Sequence, residues 1–497
     1  LVHVTGLEAG ARIPYEVHLD GERVWPALDG WPASTIRTID PGRARSIAFG
    51  SCRVGVPHTE PYSLTKDQHP EGREADALLG LALELRGTDP EGWPEILLLL
   101  GDQVYADEVS PGTKEFIRSR RSTDEPPGEQ VADFEEYTHL YLDAWGDPVM
   151  RWLLSTVATA MIFDDHDVHD DWNISESWIH DIREESWWRE RIAGAFMSYW
   201  VYQHIGNLEP SHIHDDEMYD AVCGADGDAA PQLHEFALKA DRQTQGTRWS
   251  FCRDYGGVRV LIIDSRAGRD LRDGKRSMVD EGEWDWICER LVGGHDHLVV
   301  GTTLPVLLGQ GMHFFEAWNE AVCNGAWGAP AARLGEKVRR GLDLEHWAAF
   351  SESFERLMRR LGEVAAGEHG PPPASIVLLS GDVHHAYLTE VAFHRSVGAK
   401  APVYQAVCSP FRNPLDGRER RMIRFGTGAV AYAIGRALAR AAGVKDPDVR
   451  WRMVEGPHFD NQVATLELHD RKARITLERT KPGPDPGLHV CFSRDLT

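Results

Sequence analysis

The chain has 497 residues, of which 42% are apolar and 26% charged. That composition supports one large α/β domain with insertions, or two domains, and excludes disordered and fibrous classes. The formal net charge of -25 repels nucleic acid backbones and anionic membranes unless a local basic patch intervenes. The nearest candidate patch, Arg418 to Arg424, reads as the solvated start of a helix.

No run of eighteen apolar residues is present, so no membrane span is expected. The seven cysteines, Cys52, Cys223, Cys252, Cys288, Cys323, Cys408 and Cys491, are odd in number and widely spaced. This favours free thiols and a cytoplasmic location over export with a disulfide framework. The chain starts at Leu1 without a methionine or a visible signal, so the N-terminus reads as incomplete.

In chain order, residues 1–42 read as β-structure, with a turn at Leu19-Asp20-Gly21-Glu22. From Arg43 the pattern changes to alternating strands and helices. Strands are predicted at Ser46–Gly50, Glu95–Leu100, Val157–Phe163, Val258–Ile263, Val299–Leu304 and Ser375–Leu379, with a helix over Glu74–Leu85 whose apolar face is Leu78, Leu79, Ala82 and Leu83. These strands are uninterruptedly apolar, which implies burial on both faces. Helical, tryptophan-rich insertions span 111–153, 174–245 and 310–370, and their tryptophans read as helix packing. The tail closes with strands near 461–468 and 472–479 around His469-Asp470.

Most of these strands end in a chemically active group. Cys52-Arg53 follows the first, Gly101-Asp102 with Tyr105 the second, Asp164-Asp165-His166-Asp167 the third, Asp264-Ser265-Arg266 the fourth, and Gly381-Asp382-Val383-His384-His385 the last. Carboxyl ends of strands are where α/β sheets bind ligands. Carboxylates packed around a histidine repel one another unless a cation neutralises them. Asp382 and His384 are two apart, so an extended segment would place them on one side. A thiolate at Cys52 suits a softer or trivalent metal. Arg53, Arg266 and Arg269 are candidates for phosphate oxygens, with a structural ion pair as the alternative. Gly294-His295-Asp296-His297 precedes a strand instead of following one and reads as a surface loop.

The ordered segments FGSCR, LLLLGDQVYAD, MIFDDHDVHDDWN and LLSGDVHHAYL resemble the PhoD-like alkaline phosphatases of the calcineurin-like metallophosphoesterase superfamily. The resemblance implies an α/β layered sandwich, with two central mixed β-sheets flanked by helices and bearing helical insertions. On this reading 43–497 is the catalytic domain and 1–42 the end of a small β-sandwich domain. It implies metal ligation by Cys52, Asp102, Tyr105, Asp165, Asp382 and His384. His166 would stand near the leaving group, and Arg53 and Arg266 would hold substrate. The implied cofactors are Fe3+ and Ca2+, with other divalent metals as alternatives.

The expected function is metal-dependent hydrolysis of a small phosphate ester. A phosphodiesterase acting on a lipid head group or nucleotide, or an inactive metal-binding scaffold, are the alternatives. No nucleic acid polymer is expected as a partner, and the sequence does not specify an oligomeric state.

Overall fold

Strands apolar on both sides must be covered on both sides, and the chain achieves this by stacking two sheets with helices outside them. The structure is a computed structural model describing residues 2–26, 28–40, 42, 45–243 and 246–497. The domain boundary read at 42/43, the first residue Leu1 and the insertion end at 245 touch positions outside the described residues.

Four short strands come first: β1 (Arg12–Pro14), β2 (Val17–Leu19), β3 (Glu22–Trp25) and β4 (Thr35–Arg37). β1 pairs with β4, and β2 with β3. The β2–β3 turn falls at Asp20-Gly21, whose φ angles of 52° and 85° are those of a tight hairpin turn. This segment leans on the helix Pro148–Thr156 through Trp152 Nε1, which donates to the Pro32 carbonyl at 2.7 Å.

The main strands follow: β5 (Arg45–Gly50), β6 (Ile96–Leu100), β7 (Ala158–Ile162), β8 (Phe251–Tyr255), β9 (Val258–Ile263), β10 (His297–Thr302), β11 (Ser375–Ser380), β12 (Ala386–Phe393), β13 (Val403–Val407), β14 (Val449–His458), β15 (Gln462–His469), β16 (Lys472–Arg479) and β17 (His489–Asp495). One sheet has the order β17-β16-β15-β5-β6-β7, the other β14-β12-β13-β11-β10-β9-β8. Both are mixed. β5, β6 and β7 run parallel, as do β9, β10, β11 and β13, and the remaining pairings are antiparallel. This is the layered α/β sandwich that the resemblance implies.

Alternation along each strand divides the core into layers. Leu98 and Leu100 of β6 share the central layer with Ile262, Val299, Val377 and Leu379 of the other sheet. Leu97 and Leu99 face outward onto the helix Ala77–Gly87. Leu261, Leu298, Ile376 and Leu378 face outward on the second sheet, against Phe354, Leu357 and Leu361.

Two sequence expectations change. The helix begins at Ala77, because Asp76 caps it by accepting from Leu78 N. Its buried stripe is Leu78, Leu81, Ala82 and Leu85, while Leu83 is 39% exposed. β10 also starts two residues before the expected Val299. His297 is therefore a buried strand residue, with Nδ1 2.8 Å from Ser375 Oγ and Nε2 2.9 Å from the Asp470 carbonyl. It pairs with Val258 and Ser375, the first residues of parallel β9 and β11. Residues 294–297 thus lie at the end of the sheet opposite Asp264 and Asp382.

The insertions are helical. In the second, Trp178 and Trp188 are buried edge-to-face at 5.7 Å, as helix packing requires. In the third, His313 is 3% exposed between Phe354 and Trp451, and burial depresses its pKa to about 3. A histidine held neutral in the fold stabilises fully above the unfolded value near 6.5, and that contribution is lost as pH falls toward 3. His313→Phe is therefore expected to remove up to about 1.4 kcal/mol per pH unit from the acid slope of unfolding free energy in that window. Urea unfolding at several pH values measures this, and identical slopes for the two proteins would refute it.

Candidate metal centre

The site is assembled from turns, each forced by a tight contact. After β5, Cys52 N donates to the Gly101 carbonyl at 3.1 Å and Arg53 N to the Asp102 carbonyl at 3.0 Å. After β11, Asp382 N donates to Ser51 Oγ at 2.9 Å, which ties the two sheets together. Glycine is needed at 381, because a Cβ there would lie 2.1 Å from Ser51 Oγ. At 101, with φ of 103°, a Cβ would lie 2.6 Å from Asp164 Cβ. Cys52, Asp102, Asp382 and His384 hold φ values of 58°, 54°, 66° and 52°. Such left-handed backbone in residues other than glycine costs about 1 kcal/mol or more each and clusters at functional sites.

Asp167 organises the third turn. Its buried carboxylate accepts from Asp102 N and Asp164 N, both at 2.9 Å. Its neighbours are thereby freed to face the site. Asp102 Oδ2 lies 3.3 Å from both Cys52 Sγ and the Tyr105 hydroxyl. Burial raises the pKa of all three groups well above their ordinary values. The carboxylates Asp165, Asp164 and Asp167 add to this at Asp102, and each of Cys52 and Tyr105 is raised further by Asp102.

Arg266 is fully buried among four carboxylates: ion-paired to Asp164 and Glu345, 3.2 Å from Asp165 and 3.7 Å from Asp382. Burial opposes the charge on Asp382, but His346 and Arg266 lower its pKa to about 2. His346 Nδ1 lies 2.7 Å from Glu316 Oε1, and its Nε2 lies 3.2 Å from Asp382 Oδ2 without hydrogen-bond geometry.

The donor set fits a cation. Asp102, Asp165 and His166 form one group, and Asp164, Asp165 and Asp382 another, each with ligand atoms within 4.8 Å of one another. Asp102 Oδ1 and Asp164 Oδ2 are buried and accept no hydrogen bond. An unpaired buried acceptor is costly, and a metal ion would satisfy both.

Beside these groups, His166 Nδ1 is 2.9 Å from Asp107 Oδ1, and its ring stacks on Tyr105 at a centroid distance of 4.5 Å. Burial opposes its charge, but Asp107 more than offsets that and raises its pKa well above the usual value.

The family profile described as PhoD-like phosphatase matches residues 88–226. Over that segment the chain is similar to the PhoD-like phosphatases. A second profile, a domain of unknown function (DUF7800), matches residues 1–36. No curated protein matches. Among solved structures the chain is similar to the structure of PhoD, at 11% identity and a TM-score of 0.54, over 93% of this chain and 72% of that one. At that identity the likeness is one of fold. It is also similar to purple acid phosphatase PPD1 from yellow lupin (Lupinus luteus) seeds, at 10% identity and a TM-score of 0.42, over 93% of this chain and 57% of that one.

The PhoD-like segment contains Asp102, Tyr105, Asp165 and His166, while Cys52, Arg266, Asp382 and His384 come from outside it. Cys52, Asp102, Tyr105, Asp165, His166 and Asp382 converge. His384 stands outside both carboxylate groups. Its expected alternation with Asp382 is replaced by two successive i to i+2 hydrogen bonds, Val383 N to the Gly381 carbonyl and His384 N to the Asp382 carbonyl. Burial lowers its pKa to about 3.

For both arginines expected to hold substrate, the geometry is the ion-pair alternative. Arg53 is 2.8 Å from Asp76 and donates to the Ala144 carbonyl at 2.8 Å, and Arg266 sits in the carboxylate cage. Arg269 is paired with Glu345 at 3.2 Å.

Three residues at the site were not singled out from the sequence. Asp107 closes the motif that opens with Asp102, so its position was available there. Glu345 and His346 lie in the third insertion without a recognisable pattern.

Proposed function

We propose that this chain hydrolyses phosphate esters with metal ions held by Cys52, Asp102, Tyr105, Asp165 and Asp382, joined by His384 and, through its unpaired Oδ2, by Asp164. The observation that carries the reading is the pair of orphaned buried oxygens, Asp102 Oδ1 and Asp164 Oδ2, within a set of acidic groups that mutually resist ionisation. The thiol and phenol suit ferric iron, and the oxygen-rich side suits calcium or another divalent ion. Metal ions bound there supply charge that offsets the phosphate oxygens and acidity that activates a water.

The chain's own groups then serve the reaction. Asp107 engages Nδ1 of His166, and on this reading Nε2, 3.8 Å from Asp170 Oδ1, is not a metal ligand but carries a proton on a ring 24% exposed. From there the imidazole protonates the departing alkoxide. Arg266 offsets the negative charge of Asp164, Asp165 and Asp382 behind the site, and His346 lies against Asp382 at 3.2 Å, where it favours the charged carboxylate.

The test is elemental analysis of the purified protein, with hydrolysis of p-nitrophenyl phosphate and bis-p-nitrophenyl phosphate before and after chelation. Iron or another transition metal with chelator-sensitive turnover is expected, and the ratio of the two rates separates monoesterase from diesterase. Full turnover by metal-free protein, or none after iron and calcium are restored, would overturn the proposal.

A further inference from the structure

The most acidic expectation of the composition is broken in one place. From Arg418 to Lys445 the chain carries seven arginines and lysines in a molecule of net charge -25; Arg420 is paired with Asp460, and Arg436 and Arg440 with Asp446, which leaves Arg418, Arg421, Arg424 and Lys445 as the excess. The segment forms two helices, Gly417–Gly426 and Ala429–Ala441. Glu419 is committed to the capping box of the first, accepting from Asp416 N at 2.6 Å. Among the described residues, Arg418, Arg421 and Arg424 make no ion pair and are exposed.

The same surface is apolar between its cations. Met422 is 67% exposed, Phe425 60%, Val430 62% and Ile434 52%, with Met312 (38%) and Trp327 (44%) at its margins. The second helix packs by its other side, where a Cβ at Gly435 would lie 2.7 Å from the Gly311 carbonyl. Its outward face, Ala429, Val430, Ala433, Ile434 and Ala437, follows helical spacing and carries no charge. Trp327 Nε1 donates to the Ala441 carbonyl at 3.2 Å, holding the indole at the end of this face.

We propose that the helical hairpin 417–441 docks on an anionic lipid bilayer. An apolar helix face flanked by arginines, with an aromatic ring at its edge, is the pattern of an interfacial helix, and each cation near a negative leaflet strengthens attachment. Charge complementarity selects this occupant. A second copy joined across a two-fold axis would bring the same arginines against one another. A nucleic acid would leave Met422, Phe425, Val430 and Ile434 uncovered. The hairpin is linked through Phe459 to His385, the sequence neighbour of His384. Lys66 lies 3.7 Å from Glu419, and Arg424 sits over the Phe459 ring, whose centroid is 6.1 Å from that of His385. The binding itself is independent of the hydrolytic reading.

Co-sedimentation of the full chain with phosphatidylcholine vesicles containing about one-third phosphatidylserine tests this. Binding is expected at about 0.1 M salt and its loss at about 0.5 M. Arg418→Gln/Arg421→Gln and Met422→Ser/Phe425→Ser are each expected to weaken partitioning about tenfold or more. Hydrolysis of p-nitrophenyl phosphate in free solution should stay unchanged in both variants, which also shows that they fold. Equal sedimentation with pure phosphatidylcholine, no sedimentation, or wild-type partitioning by both variants would overturn the proposal. So would light scattering that shows a dimer converted to monomer by the Met422→Ser/Phe425→Ser change, because a second copy would then cover the face. Tighter binding to single-stranded RNA than to the vesicles would overturn it as well.

Discussion

Asp102→Asn is expected to empty the metal centre and lower phosphate-ester hydrolysis about 1,000-fold while leaving the fold intact. Asp102 stands between Cys52 Sγ and the Tyr105 hydroxyl, 3.3 Å from each, and belongs to the group formed with Asp165 and His166. Its Oδ1 has no donor. Asparagine keeps the size of the side chain and tolerates the left-handed backbone at φ 54°. The substitution therefore removes charge without moving the turn. The neutral amide also relieves the repulsion that Asp164, Asp165 and Asp167 impose on the carboxylate, so thermal stability of the metal-free protein should hold or rise. Metal analysis, turnover of p-nitrophenyl phosphate and a melting curve together decide the matter. Wild-type metal content and turnover in the variant would remove Asp102 from the site.

Arg266→Met should make the fold depend on metal. The guanidinium is the cation held among Asp164, Asp165 and Glu345, all buried, and Asp382, whose side chain is 18% exposed. Removing one partner of a buried ion cluster leaves uncompensated charge and costs about 3–5 kcal/mol. Glu345 retains Arg269 at 3.2 Å and Asp382 retains His346, so Asp164 is the group left most exposed to the loss. Metal ions at the neighbouring carboxylates would replace part of the missing positive charge. Unfolding in urea should accordingly show a large deficit for the chelated variant and a smaller one after metal is added. Equal stability of chelated wild type and variant would mean that these carboxylates take up protons and do not need Arg266.

Much of this architecture is written locally. The apolar runs at 96–100, 258–263 and 375–380 must be covered on both sides, so strand positions and double burial follow from the residues, while the two-sheet layering came with the resemblance of the strand-end motifs. The Asp20-Gly21 turn follows from the backbone those two residues tolerate. Five polar strand ends could be recognised as a site because each breaks an apolar run abruptly. The extent of the helix over Ala77–Gly87 was less legible. Its register is set by Asp76, which is held by Arg53 from another strand end, and helical periodicity alone admits a shifted stripe.

Pattern along the chain carries the doubly buried strands and the chemical kind of the site: thiol, phenol, carboxylate and imidazole at successive strand ends. Only the tertiary structure decided which of these groups face one another. Asp167 turns away to bind backbone N–H groups, Arg266 turns inward to carboxylates, and His384 leaves the line of Asp382. It also decided that Glu345 and His346, from an insertion about 180 residues beyond Asp165, complete the surroundings of the site. The reason is physical. Backbone pattern depends on neighbours along the chain, but the direction of a buried charge depends on which opposite charge folding brings within reach, and in water's absence that partner dominates its energy.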